Sequence, residues 1–303
     1  NANLSLDDID AIGVTVGPGL EICLRVGAYK ARDLAVQHNK PFVGVHHLEA
    51  HVMMARIGPG VTVESTPETH ESERAMHFPF LALLVSGGHC QLMKCHGIGN
   101  YTIIGGTMDD SLGEAFDKTA RMLGLPVGGG GGPAVERLAK EGDPTAVKLP
   151  IPLQKRKDCD FSYAGLKTAV RMAADKLRIE RGLETIEELS YSDKANVAAS
   201  FQHVSIKHIE QRLVRAMALC EEENDIKTLA VVGGVAANQE LRSRLDVICS
   251  DKGWQMHVPP PRLCTDQGAM AAWAAVERIM VGSTDVAATQ EVYARYPFTV
   301  VEE

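Results

Sequence analysis

His47 and His51 are the residues whose type and spacing most directly invite chemistry. Side chains four positions apart on a helix share one face, so both imidazoles can reach one ion. They follow an apolar run, Phe42-Val43-Gly44-Val45, that reads as a buried strand, and they open a run to Ile57 that reads as a helix. Glu49 lies between them and points off their shared face. Neither the H-E-x-x-H nor the H-x-x-E-H spacing of zinc peptidases is present. Two histidines supply two ligands, and a third must come from elsewhere in the chain. On spacing alone the plain alternative stays open: one packed and one solvated histidine at a helix start.

A second kind of chemistry is suggested by glycine turns that follow apolar strands. Gly17-Pro18-Gly19 separates a strand over residues 11–16 from a helix over 25–37. Ser86-Gly87-Gly88-His89 follows the strand Phe80 to Val85 and reverses the chain as a hairpin, with His89 either a ligand or an exposed turn residue. Gly233-Gly234-Val235-Ala236-Ala237-Asn238 follows the strand Thr228 to Val232 and precedes a helix from Gln239. Such turns present free backbone N–H groups to phosphate and let a ligand come close, and the Ser86-Gly87-Gly88 and Gly233-Gly234 turns are expected to face each other across a cleft. Five consecutive glycines, Gly128 to Gly132, precede Pro133 and are either a bend around a ligand or a linker. Asp110, Glu114 and Asp117 fall on one helical face, an arrangement that needs solvent or a polar ligand opposite it. Asp266 fits the N-cap of a helix that ends near Gly282.

The elements that must position these residues alternate strand and helix, which implies an α/β fold, and the strand–glycine–helix units in two halves suggest a duplicated design. The 303 residues are 45% hydrophobic and 23% charged, enough for one large or two medium domains. Residues 61–77 are polar, acidic and aperiodic, and read as a surface insertion. A long helical stretch runs from Ser192 to Glu222. The net charge of −8 excludes a protein that coats nucleic acid non-specifically. A local exception is residues 148–181, with nine Lys and Arg against four acids, near +5. Phe161 and Tyr163 sit among these charges as stacking platforms for bases would, while a solvated helix face is the alternative. Seven dispersed cysteines without a C-x-x-C pair suit a reducing compartment. No apolar run approaches the roughly 20 residues of a membrane span. Residues 4–10 read as the end of a helix already inside a domain, so the sequence is expected to start within a longer protein, with any transit peptide upstream.

Seven stretches in order carry a resemblance: residues 15–20 (TVGPGL), 45–51 (VHHLEAH), 84–89 (LVSGGH), 113–120 (GEAFDKTA), 161–168 (FSYAGLKT), 233–238 (GGVAAN) and 264–266 (CTD). Together the chain resembles the tRNA N6-adenosine threonylcarbamoyltransferase (TsaD) family, formerly labelled O-sialoglycoprotein endopeptidase. The resemblance implies a two-lobed α/β fold of the actin and sugar-kinase (ASKHA) type with its ligand cleft between lobes. The expected division is a lobe over 1–107, a lobe over 108–260, and a tail over 261–303 returning to the metal site. His47 and His51 would be joined by Asp266 around one divalent ion, zinc or iron. Leu84, Val85, Ser86, Gly87, Gly88, Asp117, Gly132, Glu136, Ala237 and Asn238 would line the adenylate site. The implied reaction moves the threonylcarbamoyl group of threonylcarbamoyl-AMP to N6 of the adenosine beside the anticodon, in tRNAs reading codons that begin with A. No residue presents itself as a general base.

Departures from the family pattern are Glu21-Ile22-Cys23 in place of small residues, Ala237 in place of Ser, Gln267 in place of Asn, and the lengthened glycine run. The family's first strand and phosphate loop are expected before Asn1. Residues 86–90, 158–162 and 259–264 look most like the organellar eukaryotic branch, which implies a mitochondrial homodimer without a membrane span. Competing readings are a metallopeptidase and a non-catalytic ASKHA-like scaffold.

Overall fold

The computed structural model describes residues 4–58, 76–128, 130–224 and 226–298. The expected insertion at 61–77 lies almost wholly outside them. The chain is an α/β fold that divides into two compact units, one of residues 1–80, 94–102 and 259–303, the other of residues 81–93 and 103–258.

The first unit is built on a β–α–β element. Strand β1 (Ile12–Gly17) pairs in parallel with β2 (Phe42–His46), in register from Ile12 opposite Phe42 to Thr15 opposite Val45. Parallel neighbours need a long crossover, and helix α1 (Glu21–Gln37) supplies it, burying Ala28, Ala31 and Ala35. Helix α2 (His47–Met53) starts directly at the end of β2 and closes with a 3₁₀ turn, Met54–Arg56. Helix α9 (Gly268–Met280) returns from the far end of the chain to pack on α2, β1 and β2. It comes so close that a side chain on Gly13 would meet Ala275 Cβ at 2.4 Å. Arg56 and Glu277, both fully buried, pair at 3.1 Å beneath this packing, and Arg56 stacks on Phe78.

Most of a mixed five-stranded sheet in the order β5-β4-β3-β6-β7 falls in the second unit, where β3 is Phe80–Val85, β4 Cys90–Gly97, β5 Asn100–Gly106, β6 Thr228–Val232 and β7 Gln255–His257; Phe80, residues 94–97 of β4 and residues 100–102 of β5 are counted with the first unit. β3, β6 and β7 run parallel, with Leu84 opposite Val232. All six residues of β3 are buried, which is why it reads as an unbroken apolar run. The helices are α3 (Leu112–Met122), α4 (Gly131–Ala139), α5 (Ala164–Glu180), α6 (Tyr191–Asn224), α7 (Gln239–Lys252) and the short α8 (Pro261–Cys264), which belongs with the first unit. In α3, Leu112, Ala115, Phe116, Thr119 and Ala120 are buried at helical spacing, and Phe116 meets Phe201 of α6 edge-to-face at 5.0 Å.

A lobe boundary is expected at 107. Because β3 pairs with β6, β3 and the inner part of its hairpin belong with the second unit, although they precede 107. Residues 259–303 are counted with the first unit.

Candidate functional site

The first site is on α2. His46, the last residue of β2, caps this helix: its Nδ1 accepts from the Leu48 N–H at 3.1 Å. Its Nε2 lies 3.1 Å from the Tyr296 carbonyl, and because a carbonyl only accepts, the ring is neutral with its proton on Nε2. Burial pushes its pKa down to about 4, which favours this neutral form. One residue on, His47 and His51 stand one turn apart with ring centroids separated by 4.8 Å. Asp266 Oδ1 is 3.0 Å from His51 Nε2 and 3.9 Å from His47 Nε2. All three ligand atoms fall within 4.8 Å of one another, the one such cluster among the described residues. His89 is not part of it.

The donor set fits a metal. His51 Nε2 is fully buried and makes no hydrogen bond, so a ring nitrogen is left aimed at the cluster, while the Asp266 side chain is 72% exposed and leaves a path for entry. Two imidazoles and a carboxylate with open positions suit zinc or iron(II). Burial and the His51 ring beside it, opposed by Asp266, leave His47 below the ordinary histidine pKa, which favours the neutral ring.

The N-cap role expected for Asp266 is corrected. Gln267 caps α9, its Oε1 accepting from the Ala269 N–H at 3.0 Å, and this leaves the Asp266 carboxylate to face the histidines. Glu49, off the face shared by the two histidines, is fully buried. It accepts from Tyr101 Oη at 2.7 Å and the Gly99 N–H at 3.0 Å, and pairs with Arg278.

The second site is at the carboxyl ends of β3 and β6. The turns expected to face each other across a cleft are instead side by side, because their strands are adjacent and parallel. Gly233 has φ +93°, and a Cβ there would lie 2.4 Å from the Val85 carbonyl oxygen, so only glycine lets the turns approach. Gly113 is similarly pressed against the Ser86 carbonyl, its Cβ position 2.6 Å away. A side chain at Gly87, Gly88, Gly132 or Gly234, by contrast, would meet no atom within 4 Å. Packing glycines thus bring the two turns together at the carboxyl ends of parallel strands, where α/β sheets commonly bind ligands, and the neighbouring glycines stand open.

The other expected adenylate residues are distributed as follows. Leu84 and Val85 are core side chains, 0% exposed, and offer only backbone. Ser86 Oγ shapes the turn, accepting from the His89 N–H at 3.0 Å. Asp117 Oδ1 accepts from the Gly131 N–H at 2.7 Å, and this bond organises the end of the glycine run. Glu136 Oε1 accepts from the Gln239 N–H at 2.8 Å. Ala237 closes a 3₁₀ turn, Gly234–Ala237, and is half-buried. Asn238 caps α7 through its Oδ1 and donates from Nδ2 to Gln202 Oε1 at 3.0 Å. The acidic stripe needs no ligand to balance it: Asp110 is paired with Lys118 and Lys167, and Glu114 with Lys118.

The stacking role expected of Phe161 and Tyr163 is corrected, because both are 0% exposed and pack edge-on against His208. Their motif is anchored from below. Asp109 accepts from Ser162 Oγ at 2.6 Å and from the Tyr163 N–H at 2.8 Å. Much of the basic segment is also paired: Arg156 with Asp158 and Asp160, Lys167 with Asp110, Arg178 with Asp175, Arg181 with Asp193.

Comparison with known proteins decides the family. The TsaD family, tRNA N6-adenosine threonylcarbamoyltransferase, matches residues 1–273. The chain belongs to it. A probable mitochondrial tRNA N6-adenosine threonylcarbamoyltransferase of Arabidopsis thaliana is 46% identical over 94% of this chain, which spans 57% of that protein. A relative of the same name from Granulibacter bethesdensis is 44% identical over 93% of this chain and 72% of its own length. Among solved structures, T. kodakarensis HypF matches with a TM-score of 0.60 at 13% identity, over 92% of this chain and 42% of that one. A full-length HypF in a phosphate- and nucleotide-bound form matches with a TM-score of 0.54 at 14% identity, over 84% of this chain and 45% of that one. These likenesses concern the fold alone.

Within this threonylcarbamoyltransferase family member, several supporting residues escape motif reading. Ser111 caps α3, accepting from the Glu114 N–H at 3.2 Å, and donates to the Gly87 carbonyl at 2.5 Å. The Ser-x-x-Glu spacing of a capping box announces it. Gln202 and the Glu49–Tyr101–Arg278 group carry no local signal, since their partners are distant in sequence.

Proposed function

We propose that this protein transfers the threonylcarbamoyl group from threonylcarbamoyl-AMP to N6 of the adenosine beside the anticodon, in tRNAs reading codons that begin with A. The observation that carries this reading is the pair of glycine turns ending two adjacent parallel strands, in a chain of this family. The exposed backbone of Gly87, Gly88 and Gly234 takes the adenylate, and Asp117 and Asn238 hold the surrounding turns in place through Gly131 and α7. The N6 amine attacks the carbamoyl carbon, the bond from that carbonyl to the phosphate oxygen breaks, and AMP leaves as the amine loses a proton. His47, His51 and Asp266 hold one divalent ion, zinc or iron, which when bound supplies a Lewis acid. The actin-like, two-lobed version of the fold belongs to the same proposal and rests on the family.

The partners are tRNA, threonylcarbamoyl-AMP and a second copy of the chain. A homodimer is supported by α1, where Ile22, Val26 and Val36 are 70%, 75% and 61% exposed at helical spacing, a seam suited to a partner helix. No helix among the described residues is long and apolar enough to cross a membrane. Mitochondrial location is supported by the Arabidopsis relative's name. A peptidase lacks its base, because Glu49 is committed to Arg278, Tyr101 and Gly99.

The test is incubation of the purified protein with synthetic threonylcarbamoyl-AMP and an unmodified tRNA transcript, followed by nucleoside mass spectrometry. N6-threonylcarbamoyladenosine and equimolar AMP are expected. A metal-loaded protein that leaves the tRNA unmodified refutes the reading.

A further inference from the structure

The chain after α9 does not trail away. Residues 285–298 strap across the first unit and reach the residue that caps the metal-bearing helix. The Asp285 N–H donates to the Phe42 carbonyl at 2.9 Å, and Asp285 Oδ2 accepts from the Gly44 N–H at 2.8 Å. Arg32 of α1 donates to the carbonyls of Ala288 and Gln290. The Tyr293 N–H donates to the Val16 carbonyl at 2.8 Å. The Tyr296 carbonyl then accepts from His46 Nε2, and the His46 ring packs against the rings of Tyr296 and Phe298, centroids at 4.6 and 4.7 Å. Phe298 stacks in turn on Tyr101 at 4.4 Å, and Tyr101 donates to Glu49 inside the His47–His51 turn. The family match ends at residue 273, so these contacts belong to a segment it does not describe.

We infer that residues 285–298 are a positioning strap for the metal site, acting through His46. A ring held at both nitrogens and packed against two aromatic rings cannot rotate, so the first turn of α2 leaves β2 at one fixed angle. That angle sets where the His47 and His51 imidazoles point. His46 and Phe298 are therefore positioning residues and touch neither metal nor substrate. The inference rests on the proposed metal role of His47, His51 and Asp266.

Two variants separate the links. His46→Asn keeps a side-chain oxygen to cap α2 but is too short to reach the Tyr296 carbonyl. Phe298→Ala removes the outer clamp and leaves His46 intact. The probe is cobalt(II), read by titration and by its visible absorption, with thermal melting of the same samples. Both variants are expected to fold at some cost in melting temperature, since both side chains are buried, to bind cobalt about tenfold more weakly, and to show an altered absorption band. Their AMP affinity, a property of the second unit, is expected to stay unchanged. Cobalt affinity and spectrum equal to wild type in either folded variant overturn the strap. A lowered melting temperature with an unchanged spectrum also overturns it, since that is a structural role only. If one variant fails to fold, the other decides. A wild type that takes up no cobalt sinks the metal assignment itself, an outcome distinct from failure of the strap.

Discussion

Gly233 and Gly234 are neighbours in sequence, and the structure assigns them opposite duties that a pair of substitutions can separate. Gly233 holds φ +93° with the Val85 carbonyl oxygen 2.4 Å from where a Cβ would sit. Gly233→Ala therefore carries about 1–3 kcal/mol of backbone strain. It adds an overlap that only movement of one strand end can relieve. For a unit of this size each kcal/mol lowers the melting temperature by about 2–4 °C, so a loss of about 2–12 °C is expected. Gly234 has nothing within 4 Å of its Cβ position. Gly234→Val should therefore change stability by no more than about 0.5 kcal/mol, as at an open surface position. Its isopropyl group instead fills the open space beside the backbone of Gly87 and Gly88. AMP affinity, measured by calorimetry, should fall by at least about tenfold, the equivalent of about 1.4 kcal/mol. A folded Gly234→Val protein with undiminished AMP affinity refutes the adenylate site. A Gly233→Ala protein that melts with the wild type refutes the close approach of the two turns.

His51→Ala removes the buried nitrogen that makes no hydrogen bond, and elemental analysis of the purified variant should show sharply reduced divalent metal; unchanged content sinks the triad. Lys155 and Lys157 flank the paired Arg156 and are exposed, so K155E/K157E should weaken binding of a tRNA transcript and lower the salt slope by about 1–2, while cobalt and AMP binding hold. An unchanged slope means those lysines are only solvated surface. His208 is buried and lies near Arg212 and Arg215, and both effects push its pKa down to about 3 from the ordinary 6.5. The unfolded chain then takes up a proton that the folded one refuses. Stability is complete above pH 6.5 and is lost as pH falls toward 3, by up to about 5 kcal/mol. His208→Gln, which can still accept from the Ser162 N–H, should flatten that part of the stability–pH curve in denaturant titrations. Val26→Glu on the exposed face of α1 should shift sedimentation toward the monomer; an unchanged mass places the dimer seam elsewhere.

What could be read from the sequence follows from how local its causes are. The His47–His51 face, the strand–glycine–helix units and the long α6 all depend on spacings within a few residues, and each is found where the spacing puts it. Asp266 is different, since its meeting with His51 spans most of the chain and follows from the family pattern rather than from any spacing. The errors share one cause. Phe161 and Tyr163 look like stacking platforms because their sequence neighbours are charged, yet Asp109 draws their backbone inward and His208 covers their rings. Arg156 looks free beside Lys155 and Lys157, yet Asp158 and Asp160 on the same loop neutralise it. The two Gly-Gly turns look like opposed jaws because they are far apart in sequence, yet pairing of β3 with β6 makes them neighbours. In each case a long-range partner overrides the local pattern, and such partners cost no signal in the sequence because any of many residues can serve. Glycines are the exception that proves useful. Gly113 and Gly233 report a long-range approach through a local requirement, the absence of a Cβ, so they mark contacts that no periodicity can reveal. A glycine pair after a buried strand therefore says two things, which only the structure separates: one glycine lets the strands meet, and the next leaves room for what binds there.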